Sequence, residues 1–366
     1  MQLLSVRAAG FRNLANETVT FSPGVNLLYG SNAEGKTNLL EAVYYFARGK
    51  SFRGAQDKEL LGFGAPFYEI EAKFLGGGRE RSLLYRYTGR ERVRKINGVR
   101  AETAAEMIGV FQAVLFHPEH LMLVKGAPQL RRDFINIAIA GLRPEYLNIY
   151  ASYQKILENR NTLLRFAQKG LPFEEEEFRV WTQKLAEAAA RIVSMRYEYM
   201  RMLSPIAAEI IADISGGRES LSLSYRAEVE ENIVPILSEK YATLMMSDIR
   251  REIAAGYTVF GPHHDDIEIL LGAVPARLYA SQGQQRSIAL AMKLAEGEVS
   301  HRMLGEYPVF LFDDVMSELD AGRRQYLLSA LSGRQILVTA CDERDFSGTD
   351  AHLIKVSGGK YEAVSE

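Results

Sequence analysis

One cysteine, Cys341, stands among 366 residues. That excludes an internal disulfide framework and any zinc site built from several cysteines, and it makes a reducing compartment the default. No internal repeat or low-complexity segment occurs, and no apolar run approaches the roughly 18 residues of a membrane-spanning helix. The start, Met1-Gln2-Leu3-Leu4-Ser5-Val6-Arg7, meets a charge before a signal-peptide core can form. No sustained heptad pattern predicts a long coiled coil. Neither sign of charge dominates: 44 Lys and Arg against 46 Asp and Glu leave −2. This excludes a wholesale basic coat for nucleic acid, not a local patch. The remainder is ordinary globular composition, 47% hydrophobic and 25% charged, long enough for about two domains. A soluble, cytoplasmic α/β protein is expected.

The residue pattern changes twice along the chain. Up to about residue 115 it is strand-rich, with apolar or alternating runs at 3–7, 18–21, 25–29, 67–74, 82–87 and 113–116. Gly76-Gly77-Gly78 and Asn97-Gly98 punctuate them as turns. One helix interrupts, starting near Lys36. From Pro128 to about residue 255 helical spacing takes over, as in 178–203, with Pro128, Pro144, Pro172, Pro205 and Pro235 at starts or breaks. A short strand is expected at 221–225. After Gly256 the alternation returns: buried strands at 309–312 and 335–339 flank a helix at 321–331, a βαβ unit.

Gly30-Ser31-Asn32-Ala33-Glu34-Gly35-Lys36-Thr37 is a complete G-x-x-x-x-G-K-[ST] P-loop between a predicted strand and a predicted helix. In this motif glycine backbone N–H groups wrap phosphates, the Lys36 position reaches the β- and γ-phosphates, and the Thr37 hydroxyl ligates Mg²⁺. The helix N-terminus adds its positive end. Such a site needs a carboxylate on a strand tip, and Phe312-Asp313-Asp314 supplies two. Asp313 is expected to serve Mg²⁺ and Asp314 to polarise the attacking water. Catalysis is therefore assigned to Asp314 and Lys36, with ATP and Mg²⁺ as cofactors.

Ser281-Gln282-Gly283-Gln284-Gln285 precedes a strong helix and resembles the signature motif of ABC-type ATPases; Ser317-Glu318-Leu319-Asp320 resembles their D-loop. The order P-loop, signature, carboxylate strand, D-loop fits an ABC-type head. This resemblance implies that two heads sandwich two ATP molecules head to tail, with Ser281, Gln282, Gly283 and Gln284 acting in trans and Ser317 and Asp320 at the D-loop. The expected layout is one ATPase lobe from 1–115 and 302–366 and a second, mainly helical lobe from 116–301 carrying the signature.

Nearly the whole chain resembles the RecF family of bacterial recombination mediators, related to SMC heads. The resemblance rests on Phe11-Arg12-Asn13-Leu14, on Asn38-Leu39-Leu40-Glu41-Ala42 after the P-loop, and on Ser51-Phe52-Arg53, Phe116-His117-Pro118-Glu119 and Arg131-Arg132. Gly261-Pro262-His263, Asp265-Asp266, Lys293-Leu294-Ala295-Glu296 and the motifs above complete it. It implies that Arg12 and Asn38 join the ATP site. It implies slow ATP hydrolysis, ATP-dependent homodimerisation, and binding of duplex DNA near single-strand gaps or junctions. It further implies help to RecO and RecR in loading RecA, in recombinational repair, fork maintenance and the SOS response, and a nucleoid-associated place in the cytoplasm. His264 stands where the family usually has Arg, and His120 where it usually has Asp. Thr339-Ala340-Cys341-Asp342 holds no switch histidine of the transporter kind, so a switch role would fall to Thr339.

Residues 79–100 hold eight basic side chains and two acidic ones, so 8 − 2 gives +6. Of these, Arg79, Arg81, Arg90, Arg92, Arg94 and Lys95, with Arg48, Lys50 and Arg53 after the P-loop helix, are the candidate contacts to backbone phosphates. His117 or Glu119 is the candidate for the loop that links lobes in ABC-type heads. His263-His264 is read as structural, because adjacent side chains diverge. Two rivals stand beside a DNA-binding ATPase. One is a transporter cassette, disfavoured by the long Lys36-to-Ser281 gap. The other is a nucleotide-switched protein scaffold without direct DNA binding.

Overall fold

A computed structural model describes residues 1–172, 174–316, 319–342 and 350–363. The chain forms two compact units. The first comprises Met1–Leu121, Ile210–Arg218 and Arg286–Glu366, the second Met122–Glu209 and Glu219–Gln285. The expected return at residue 302 falls in the last turn of the helix Gln282–Leu304, whereas the first unit resumes at Arg286. Ile288 to Met292 are all fully buried, so this helix is core rather than boundary.

In the first unit a six-stranded sheet runs in the order Lys360–Ala363, Ala351–Ser357, Val25–Tyr29, Ile336–Ala340, Val309–Phe312, Ala113–Phe116. Only the pairing of Lys360–Ala363 is antiparallel. The inner strands are buried on both faces, which is why they read as continuous apolar runs. The P-loop strand and the carboxylate strand are not neighbours: Ile336–Ala340 lies between them. The second sheet of this unit is antiparallel, in the order Glu17–Thr20, Gln2–Ala9, Tyr68–Gly76, Arg79–Tyr87, Arg92–Ile96, Val99–Arg100. Tyr68, Ile70, Ala72 and Phe74 turn inward at period two, and the helix Lys36–Arg48 joins the same core.

The second unit carries the helices Pro128–Leu142 and Glu145–Gln168 and most of the 41-residue helix Glu175–Ser215. Pro205 lies inside that last helix rather than at a break. Its cost of about 3 kcal/mol is offset by the burial of Leu203, Ile206, Ala207 and Ile211 around it. A three-stranded sheet, Val274–Pro275, Asp266–Leu271 and Leu221–Arg226, completes the unit. Two fully buried arginines knit it together. Arg160 meets Glu252 at 2.5 Å and Thr258 at 2.7 Å. Arg196 reaches Asn136 at 2.8 Å, the Pro262 carbonyl at 2.7 Å and the Tyr225 hydroxyl at 3.1 Å.

Candidate nucleotide site

Strand Val25–Tyr29 delivers the chain into Gly30 at the C-terminal edge of the parallel sheet, where open α/β sheets hold ligands. Gly30 has φ +149°, and a Cβ there would lie 2.2 Å from the Val356 carbonyl oxygen. Only glycine lets the loop pass this close to its neighbour. The helix Lys36–Arg48 then starts with its first N–H groups lacking intrahelical acceptors. The Lys36 ammonium folds back and donates to the Gly30 and Ser31 carbonyls at 2.5 and 2.8 Å. The Asn13 amide donates to the Ala33 carbonyl at 3.1 Å, and Asn38 donates to Asn13 at 2.7 Å. The Glu34 carbonyl accepts the Gly359 N–H at 2.9 Å, and its carboxylate accepts the Gly358 N–H. A turn from the far end of the chain thus braces the loop.

Asp313 follows the strand Val309–Phe312 and is buried. Its Oδ1 accepts from the Thr37 hydroxyl at 2.8 Å and from the Thr339 hydroxyl at 3.0 Å. Burial pushes its pKa up; the two hydroxyl bonds pull against that, and the Asp314 charge adds to it. Asp314 takes the left-handed conformation, φ +51°, and its N–H donates to Thr339 Oγ1 at 2.9 Å. Thr37 and Asp313 place two hard oxygen donors side by side at the P-loop. That suits Mg²⁺, which takes one or two protein ligands and completes its shell with phosphate and water. Among the described residues no group of three or more His, Cys, Asp and Glu could hold a metal by itself.

These groups open onto a cavity of about 610 Å³. Arg12 lines it, at φ +52°, with its guanidinium forked onto the fully buried Glu41 at 2.8 and 2.9 Å. Arg53 also lines it, donating to Asn38 at 3.0 Å. His117, Pro118 and Glu119 form another wall. Burial, with a smaller push from the Lys293 charge, lowers the His117 pKa to about 4. Cys341 is exposed at the rim, its thiol 3.2 Å from Asn32 Oδ1.

Ser281–Gln284 lie in the second unit. Ser281 and Gln284 form a reciprocal cap: the Gln284 side chain accepts the Ser281 N–H at 2.7 Å, and Ser281 Oγ accepts the Gln284 N–H at 3.3 Å. Ser281 and Gln282 are exposed at the start of their helix. Asp320 caps the helix Ala321–Ala330, accepting the Arg323 N–H at 2.9 Å. Ser317 lies outside the described residues.

The family model described as RecF/RecN/SMC N terminal domain matches residues 2–361. The DNA replication and repair protein RecF of Desulfitobacterium hafniense (strain DSM 10664 / DCB-2) is 34% identical over 361 residues, 98% of this chain and 99% of its own. That of Halalkalibacterium halodurans is 40% identical over 90% of each chain. The chain belongs to the RecF family. A solved structure of the recombination mediator protein RecF with ATP, in the RecFOR pathway, superposes with a TM-score of 0.92 at 33% identity, covering all of this chain and 98% of that one. An Smc head shares the fold, with a TM-score of 0.59 at 20% identity. The fold is that of an ABC-type ATPase head. No helix of the described residues is long and apolar enough to cross a membrane.

The two histidines that depart from the pattern expected from the resemblance find local partners. His120 Nδ1 accepts the His117 N–H at 3.1 Å. His264 Nε2 sits 3.2 Å from the Thr258 carbonyl, beside His263 Nε2 at 3.1 Å.

The basic residues do not form one surface. Arg48 is buried, ion-paired to Glu296 at 3.2 Å, and so is withdrawn from a phosphate-facing role; its place on an amphipathic helix hid this. Arg53 faces the nucleotide cavity instead. The pleat splits the hairpin. Arg92 and Arg94 pair with Tyr87 and Tyr85 and share one face with them, and Arg92, though exposed, is tied to Asp57. Lys95 pairs with Leu84 on the opposite face. Arg79 and Arg90 are exposed, and Arg79, Arg81, Arg90, Arg94 and Lys95 make no ion pair among the described residues. Lys50 is exposed after the helix. Sequence reading missed the bracing pair Gly358-Gly359 and the buried Glu41, whose only signal was an acid inside an apolar helix stretch.

Proposed function

We propose that the chain is an ATP-dependent DNA-binding ATPase whose dimerisation clamps duplex DNA near single-strand gaps. The observation that carries this reading is a cavity of the first unit lined by P-loop and carboxylates, together with a capped signature in the second unit whose Ser281 and Gln282 are exposed. A second copy supplies Ser281–Gln284 in trans. ATP lies along Gly30–Thr37, with Asn38 and Arg12 beside it. Lys36 exchanges two carbonyl acceptors for phosphate oxygens. Thr37 and Asp313 hold Mg²⁺, which supplies charge neutralisation at the phosphates. Asp314 orients and polarises the attacking water. Asp320 and Ser317 serve the dimer as its D-loop. Hydrolysis is slow and releases the dimer.

DNA contacts fall to Lys50, Arg79, Arg81, Arg90, Arg94 and Lys95, which meet phosphates without reading bases. RecR, with RecO and RecA downstream, completes the pathway. A nucleotide-switched scaffold that binds only protein is the second reading, favoured by the ion pairs that occupy Arg48 and Arg92. The deciding experiment is binding of fluorescent gapped duplex at moderate salt, with Mg-ATP and without nucleotide. Tighter binding with ATP that disappears in Ser281→Arg, while ATP binding persists, supports the clamp. Absence of DNA binding in both states moves the function to the protein partners. A Ser281→Arg protein that still dimerises with ATP refutes the head-to-tail arrangement.

A further inference from the structure

The strand Ile336–Ala340 lies between the P-loop strand and the carboxylate strand, with Val338 paired to Phe312 and Thr339 to Leu28. Its Thr339 is buried at 2% exposure, and one hydroxyl does two jobs. It donates to Asp313 Oδ1 at 3.0 Å and accepts the Asp314 N–H at 2.9 Å. Those bonds fix two different things. The first sets the rotation of the Asp313 carboxylate. The second holds the Asp314 backbone at φ +51°, a conformation that a residue with a Cβ adopts at a cost of about 1–2 kcal/mol.

Asp313 Oδ1 also accepts from Thr37 at 2.8 Å. If Thr37 and Asp313 both turn to one cation, the hydroxyl bond between them is exchanged for metal–oxygen contacts. The bond from Thr339 comes from a different element, the strand between the P-loop strand and the carboxylate strand, and Thr339 itself lines the cavity. We infer that Thr339 is a positioning residue that orients the metal-binding carboxylate and the water-polarising carboxylate together. This rests on the proposed Mg²⁺ and water roles of Asp313 and Asp314. A hydroxyl therefore occupies a strand end that carries no switch histidine, and it bonds both aspartates.

The test replaces Thr339 by Val, which keeps the shape and removes the hydroxyl, and by Ser, which keeps the hydroxyl. Mn²⁺ affinity in the presence of ADP is read by electron paramagnetic resonance, and ADP affinity without metal by fluorescence. Removing a partner that orients a metal ligand changes metal affinity by about 10–100-fold. The expected result is Mn²⁺ binding weakened at least tenfold in Thr339→Val and restored in Thr339→Ser, with metal-free ADP affinity unchanged. A merely structural defect lowers metal-free ADP affinity as well and is not rescued by Ser; that outcome overturns the inference. Asp313→Asn is the control. If it loses Mn²⁺ while Thr339→Val binds as wild type, the inference fails and the metal assignment stands. If Asp313→Asn also binds Mn²⁺ as wild type, the metal assignment fails and takes the inference with it.

Discussion

The turn Gly358-Gly359 separates local backbone strain from bracing of the P-loop. Both residues have positive φ, +55° and +76°. A Cβ on Gly358 meets nothing within 4 Å, whereas one on Gly359 would lie 2.0 Å from the Asn13 carbonyl oxygen and 3.2 Å from the Ala15 nitrogen. Backbone cannot swing aside as a side chain can. Gly358→Ala should therefore cost only the left-handed strain, about 1–2 kcal/mol. Gly359→Ala adds forced overpacking, about 1–3 kcal/mol. It also strains two hydrogen bonds, Gly359 N–H to Glu34 at 2.9 Å and Ala15 N–H to Gly359 at 2.8 Å, each contributing about 0.5–1.5 kcal/mol. The difference between the two variants should be roughly 2–6 kcal/mol on these terms. Because Asn13 and Glu34 hold the P-loop, Gly359→Ala should also weaken a fluorescent ATP analogue, while Gly358→Ala binds near wild type. Guanidinium midpoints and analogue titrations read both effects. Equal losses in the two variants would refute the bracing role.

Glu296 is shared by Arg48 at 3.2 Å and by Lys293, all three buried. Glu296→Gln strands two cations and should cost about 3–5 kcal/mol, whereas Arg48→Met leaves the Lys293–Glu296 pair intact and should cost distinctly less; denaturant midpoints in the reverse order would contradict this. Burial lowers His117 and His263 to about 4 from 6.5, so between those values the unfolded chain binds more protons and stability should fall as pH drops through the window. Asp265, raised by burial to about 6, acts in the opposite sense over its own window. His117→Gln should flatten the acid loss, and an unchanged slope of midpoint against pH would count against a neutral, buried His117. Charge reversal at Arg79 and Arg81 should weaken DNA binding and lower its salt slope by about one for each phosphate no longer neutralised, and an unchanged slope would remove this end of the hairpin from the DNA surface.

The sequence by itself determined what lies in contiguous stretches. The P-loop, the Asp313-Asp314 tip and the Ser281-Gln282-Gly283-Gln284 helix start are legible because each is a few residues long and its chemistry follows from local backbone geometry. The parallel strands are legible for a similar reason: burial on both faces leaves an unbroken apolar run. What depends on strand order, pleat and burial was not legible. The split of the basic hairpin between two faces follows from register, which sets Arg94 opposite Tyr85 and Lys95 opposite Leu84. Arg48 reads as an exposed cation until Glu296, far along the chain, proves to be its partner. Pro205 reads as a break until buried neighbours on both sides outweigh its cost. Thr339 reads only as the fallback for a missing switch histidine, with no link to either aspartate. Only the sheet order, which inserts its strand between the P-loop and the carboxylates, brings its hydroxyl within hydrogen-bonding distance of both aspartates. Contacts between strands far apart in sequence are set by tertiary packing, and no local pattern encodes them.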